Sequence, residues 1–191
     1  MGSPLVRNAS YGLVVAAIAF LGFAASATTV SAAPAANFRA FGQGTRVTGT
    51  PDCSVATGNM LCPGSDSCSC TPISGHGTCA ALGGAVTYTA IVATDLSVIS
   101  GGCAAAYGTA TLVSSSNPAD TVVLNFTGTL CASPTPTGTT ATADVVNGVY
   151  FVDPNNSTGT FHNATGSGNV SGSRDSNAAI LGSVIGTIKL H

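Results

Sequence analysis

The chain has 191 residues, a formal net charge of −2 and only 6% charged side chains. Its acids are seven Asp and no Glu, set against four Arg and one Lys, with no basic run anywhere. That balance excludes nucleic acid and anionic membrane surfaces as main partners. Polarity comes instead from Thr, Ser, Gly and Asn, which suit strands and turns rather than helices.

Arg7 precedes an apolar run over residues 13–25, followed by the small residues Ala25-Ser26-Ala27 and Val30-Ser31-Ala32. This order predicts a secretory signal peptide over 1–32, cut after Ala27 or near Ala32 to Ala33. The apolar run falls short of the roughly 20 residues that span a bilayer, so no membrane span is expected after cleavage. What remains, 33–191, is roughly 160 residues, the size of one domain. Export places the protein in the periplasm or outside the cell.

After an Ala/Pro connector over 33–36, residues 37–49 alternate loosely (Phe38, Val47 and Thr48 among glycines) and read as a first strand or hairpin. Cys53, Cys62, Cys68, Cys70 and Cys79 then fall among Pro51, Pro63, Pro72 and several Gly and Ser, which reads as a covalently tied loop over 51–80. Clearer strand signals follow at 85–93, extending through 95–99 to the Gly101-Gly102 turn, and then at 106–113, 121–131 and 144–152. Asp153-Pro154-Asn155-Asn156 turns the chain into a glycine-patterned segment, 157–173, and 178–190 closes it. Short strands separated by Gly and Pro predict an all-β fold, an antiparallel barrel or a β-sandwich, with a disulfide-tied loop insertion and no helix in the mature chain.

Seven cysteines in an exported chain imply disulfides. Cys103 opens one strand and Cys131 ends the next, so antiparallel pairing brings them together. The five cluster cysteines allow two bridges and one leftover thiol, with connectivity open; Cys68 and Cys70 are too close to bond each other without strain. The alternative is a metal site from Cys62, Cys68, Cys70, His76 and Cys79, but the spacing departs from paired Cys-x2-Cys and export favours oxidation. No cofactor is expected. Catalysis has little support: Gly-x-Ser-x-Gly is absent, and His76 and His162 have no identifiable acid partner. Asp95, Asp120, Asp144, Asp153 and Asp175 mostly sit at strand ends or beside turn residues, where Asp serves local hydrogen bonds. Sequons start at Asn125, Asn155, Asn156, Asn163 and Asn169, as expected from the Ser, Thr and Asn content.

Thr158, Gly159, Phe161, Ala164, Thr165, Gly166, Ser167 and Gly168 match a Gly-Thr-Gly-x-Phe-x-x-Ala-Thr-Gly-Ser-Gly pattern. Through it the last 45 or so residues resemble secreted bacterial β-barrel proteins similar to the allene oxide cyclase and dirigent barrels. The resemblance implies a closed barrel of about eight antiparallel strands with a central cavity, and the Phe161 segment as a sharp turn between late strands. No catalytic acid carries over, because the chain has no Glu and neither Asp144 nor Asp153 lies in a motif of those enzymes. On the residues themselves, Phe161 can plug a barrel while Gly159, Gly166 and Gly168 permit bends and close approach.

The expected function is therefore that of a secreted, disulfide-stabilised barrel with a non-catalytic binding or structural role, its partner a small apolar ligand or a cell-surface component. The alternative is a small-molecule isomerase or cyclase working in the barrel cavity. Tyr88, Tyr107, Phe161 and His162 are the candidate ligand-binding residues, although His162 reads better as an outward-facing turn residue. The working surface is expected in the loop between Cys53 and Cys79 or inside the barrel mouth.

Overall fold

The computed structural model describes residues 34–49, 68–133, 143–174 and 179–191. The chain divides into two units, Met1–Ser31 and Ala32–His191; all described residues belong to the second, and the segment expected as a leader lies outside them. Eight strands make up that unit: β1 (Ala36–Arg46), β2 (Cys68–Cys79), β3 (Gly84–Ser100), β4 (Cys103–Ser114), β5 (Thr121–Ser133), β6 (Ala143–Val152), β7 (Thr165–Arg174) and β8 (Ala179–Lys189). Each pairs antiparallel with the next and β8 returns to β1, so the sheet closes into a barrel with neighbours in chain order. Closure leaves no exposed sheet edge. Of the barrel and the sandwich, the chain forms the barrel.

One strand stands where a loop was expected. Residues 68–79 of the cysteine-rich segment pair along their whole length with β3, from Cys68↔Asp95 to Cys79↔Gly84. Their Gly, Ser and Pro content reads as loop, but the glycines are there because backbones pass close: a methyl at Gly77 would lie 2.1 Å from the Phe41 carbonyl oxygen. Pro72 is tolerated because pairing with β1 ends at Arg46↔Ile73, just before it is needed as a donor. Beyond that point Val47 N–H still reaches β2, donating to the Pro72 carbonyl at 2.9 Å. The rest of the expected loop lies outside the described residues.

The register fixes which side chains point inward, because successive residues of a strand alternate faces. Phe38, Ala40 and Gly42 of β1 share a face through the ladder with Val86 and Tyr88 of β3, Leu112 of β4, Phe126 of β5, Tyr150 of β6 and Val184 of β8. One half of the barrel is packed solid by Phe38, Leu82, Val122, Leu124, Phe161 and Ile188, all buried. Leu82 reaches that core from a 3-10 turn, Ala80–Leu82, between β2 and β3. The Ser114 hydroxyl anchors the turn by donating to the Leu82 carbonyl at 2.8 Å.

Phe161 arrives from the β6–β7 connection, through the 3-10 turn Gly159–Phe161. Asp153 opens the connection by accepting from the Asn155 and Asn156 backbone N–H groups at 3.0 and 3.2 Å. Ser157 is fully buried, receiving the Val123 N–H at 3.0 Å and donating to the Asp153 carbonyl at 2.7 Å. The Asp120 carboxylate then accepts from Thr160 N–H at 2.8 Å, tying the turn to the β4–β5 loop. Gly159 has φ 62°, a left-handed conformation suited to glycine. The glycine-patterned segment thus closes one end of the barrel, with Phe161 as its stopper.

Candidate functional site

The other half of the barrel, toward the Gly101-Gly102 turn joining β3 and β4, is not filled. A cavity of about 190 Å³ occupies it, walled by Ile73, Val92, Phe126, Leu130, Val170 and Val184 among others. The void follows from the small residues facing it. Ala90 and Ala110 leave β3 and β4 low, and Gly172 and Gly182 face each other across β7 and β8. A methyl at Gly182 would meet nothing nearer than the Ser171 carbonyl oxygen at 3.9 Å, and at Gly172 nothing nearer than the Leu181 carbonyl at 3.3 Å. These two glycines border empty space.

Polar groups on this wall are sparse. Thr71 and Thr94 contribute hydroxyls, Arg174 stands at the last position of β7, and Tyr88 reaches in from β3. The Tyr88 ring lies across glycines of neighbouring strands: its Cε1 would be 2.7 Å from a methyl at Gly42, and its hydroxyl 2.5 Å from one at Gly44. Burial pushes the Tyr88 phenol above its ordinary range. The phenol therefore stays protonated at neutral pH and acts as a hydrogen-bond donor.

A second tyrosine lies beyond the cavity floor. Tyr150 is fully buried, its ring 6.0 Å from that of Phe38, and its hydroxyl is the only buried side-chain polar atom among the described residues without a hydrogen-bond partner. That hydroxyl lies over Gly186, where a methyl would approach it to 2.5 Å. Burial, with a smaller contribution from neighbouring Cys79, pushes its pKa up to about 12. Cys79 is a free, buried thiol, itself pushed up by burial against weaker opposing backbone hydrogen bonds from Leu82 and Ala81.

Of the four candidate ligand-binding residues, Tyr88 alone lines the cavity. Tyr107 has the opposite parity to the inward residues Ala106 and Gly108, so it stands on the outer wall. Phe161 is buried in the plug at the far end. His162 follows it on the exposed side, as a turn residue whose N–H donates to the Gly159 carbonyl at 3.2 Å. Phe161 and His162 thus occupy the plug and the outward turn that their sequence setting also suggested, whereas the outward place of Tyr107 depends on strand parity, which residue type does not report.

The cysteines divide as follows. Cys103 and Cys131 are directly opposed on β4 and β5 and form a disulfide with Cα atoms 4.0 Å apart, as expected. Cys68 and Cys70 are disulfide-bonded. Cys79, counted with the disulfide cysteines of a cluster in which one thiol was expected to be left over, is a free thiol, and its inward position buries it among Phe38 and Leu82. Cys53 and Cys62 lie outside the described residues. The proposed metal set is dispersed: Cys68 and Cys70 are oxidised, and His76 stands on the outer wall with its Nε2 2.9 Å from Gln43 Nε2. Among the described residues no three His, Cys, Asp or Glu side chains converge.

Sequence reasoning missed most of the wall, including Phe126, Val170, Val184, Gly182 and Arg174. Period-two alternation in β5, β7 and β8 carries the signal, but it divides each strand into two faces without saying which is inside. No helix among the described residues is long and apolar enough to cross a membrane. No family, no curated protein and no solved structure matches the chain.

Proposed function

We propose that this is an exported, disulfide-stabilised β-barrel that binds a small apolar molecule in its interior and does not transform it. The observation that carries the reading is the apolar cavity of about 190 Å³ in a barrel whose other half is densely packed. Interiors are normally filled to crystal-like density, and a void of this size loses dispersion contacts that a ligand would supply. Binding rather than turnover is supported by the chemistry of the wall. Its titratable groups among the described residues are the Tyr88 phenol and the Arg174 guanidinium, with no carboxylate, imidazole or thiol beside them to act as general base or nucleophile. Export is supported by the leader pattern and by the disulfides.

The test is a methyl NMR titration of the oxidised protein with p-menthane, a neutral hydrocarbon, following Val86 and Val184. Saturable shifts are expected in the wild type. Gly182→Leu, which projects a side chain into open space, should fold normally and lose them. The absence of saturable shifts in the wild type, with p-menthane and with its ketone menthone alike, sinks the reading, and conversion of added ligand to a product sinks its non-catalytic part.

A further inference from the structure

Two tyrosine hydroxyls in the barrel form no hydrogen bond with a described residue: that of Tyr88, which lines the cavity, and that of Tyr150, fully buried below its floor. Tyr88 projects from β3 across β2 to β1 and puts its hydroxyl over Gly44. Tyr150 projects from β6 across Gly168 of β7 to β8 and puts its hydroxyl over Gly186, whose partner on β1 is Phe38. Both hydroxyls therefore reach the β8–β1 seam. On the inward face of β1 only Ala40 and Gly42 separate Phe38 from Gly44, and both line the cavity, as do their β8 partners Val184 and Gly182. The Tyr88 hydroxyl is at the upper end of this apolar slot. The Tyr150 hydroxyl is at the lower end, beneath Ala40 and Val184.

The absence of an acceptor at Tyr150 is costly. A buried donor left without an acceptor costs about 1–3 kcal/mol, and folded proteins leave few of them. Phenylalanine would fill the same space without that penalty, as Phe38 does beside it. Tyr88 differs in being half-buried on the cavity wall, and its hydroxyl likewise forms no hydrogen bond with any described residue. The Ser74 carbonyl lies against Gly44 and the Ser167 carbonyl against Gly186, but neither takes a bond from these phenols, so what they lack is an acceptor.

Building on the cavity reading above, we infer that the occupant is a neutral, largely hydrocarbon molecule carrying a carbonyl-type hydrogen-bond acceptor, which takes its bond from Tyr88 or Tyr150. A hydrocarbon would fill the slot but leave both donors unpaired. A cation would place charge beside donors that cannot neutralise it, in a wall that is almost wholly apolar.

The experiment compares menthone with p-menthane, which share a carbon skeleton and differ at one carbonyl, by methyl NMR titration of the oxidised protein. Menthone is expected to bind about tenfold more tightly, the worth of one hydrogen bond made by an otherwise orphaned donor. The Tyr88→Phe/Tyr150→Phe double variant should bring the two ligands close to parity, with the single variants identifying the donor. The infrared carbonyl stretch of bound menthone should lie lower in the wild type than in the double variant. Binding of both ligands without preference, or a preference that survives in the double variant, overturns this inference and leaves the cavity reading standing. Failure of both ligands to bind the wild type overturns the cavity reading and this inference with it.

Discussion

The Phe126 ring occupies the space that a side chain on Gly108 would need: a methyl there would come within 2.1 Å of Cζ. The two residues are directly opposed on β5 and β4. The same relationship recurs where Tyr150 covers Gly168 and Gly186 and where Tyr88 covers Gly42, Gly44 and Gly75. A narrow closed barrel cannot take a large side chain at every inward position. Here a few rings lie flat over glycines of adjacent strands, which fills the interior and shields backbone that glycine would otherwise expose.

Glycines under rings and glycines facing the cavity should respond in opposite ways. Gly108→Ala places its methyl against Phe126 and 2.6 Å from the Ile91 carbonyl oxygen, and should destabilise by about 1–3 kcal/mol. Gly182→Ala meets nothing within 3.9 Å and loses a flexible residue from the unfolded chain, so it should be neutral or stabilising by up to about 1 kcal/mol. Urea denaturation of the two variants measures the difference, and equal effects would argue against the void.

Tyr150→Phe removes an orphaned hydroxyl and should leave the apo protein as stable as the wild type or more so, by about 1 kcal/mol. Its phenol, raised from 10.0 to about 12, holds its proton in the folded state after the unfolded chain has lost it. Between those pH values the unfolded state binds fewer protons, so folding stability falls as pH rises through the window. Urea midpoints at several pH values above 10 should fall less steeply in Tyr150→Phe. Part of the slope should persist, since Tyr88 and Cys79 are raised as well.

The closed end should be sensitive to Gly159. Alanine there must adopt φ 62°, and its methyl would lie 2.2 Å from an Asp120 carboxylate oxygen and 2.6 Å from the Ala119 carbonyl. Gly159→Ala should cost about 1–3 kcal/mol and loosen the Phe161 plug, seen as a lower melting temperature with faster amide exchange at Ala164. The Asp120 carboxyl is held below its ordinary range, chiefly by the Thr160 N–H. Its contribution is present above the unfolded value of 3.8 and is lost as pH falls through the lower folded value. Asp120→Asn should flatten the acid limb of the stability curve.

The Cys103–Cys131 bridge should contribute measurably to stability. Paired substitution of both by Ser should cost about 2–4 kcal/mol, by restoring freedom to the unfolded chain. Cys79 behaves differently: buried and pushed up by desolvation, it should resist iodoacetamide in the native protein and react on unfolding. Peptide mapping locates the label, and rapid native labelling of Cys79 would contradict its burial.

Sequence alone was sufficient for what is local. The Thr- and Ser-rich alternation, the Gly and Pro punctuation and the scarcity of charge lead to an all-β chain, and the positions of Cys103 and Cys131 at neighbouring strand ends lead to their bridge. Gly159 and Phe161 are legible as a bend and a plug because both properties belong to the residue itself. Tertiary structure decided what depends on register. Gly75 and Gly77 read as loop until β1 and β3 close over them, and Tyr107 and Tyr88 are equivalent until closure puts one outside and the other within. The cavity is more remote still from the sequence. It exists because Ala90 and Ala110 of one hairpin and Gly172 and Gly182 of another, far from it in the chain, face the same half of the barrel, and only the closed ladder brings them together.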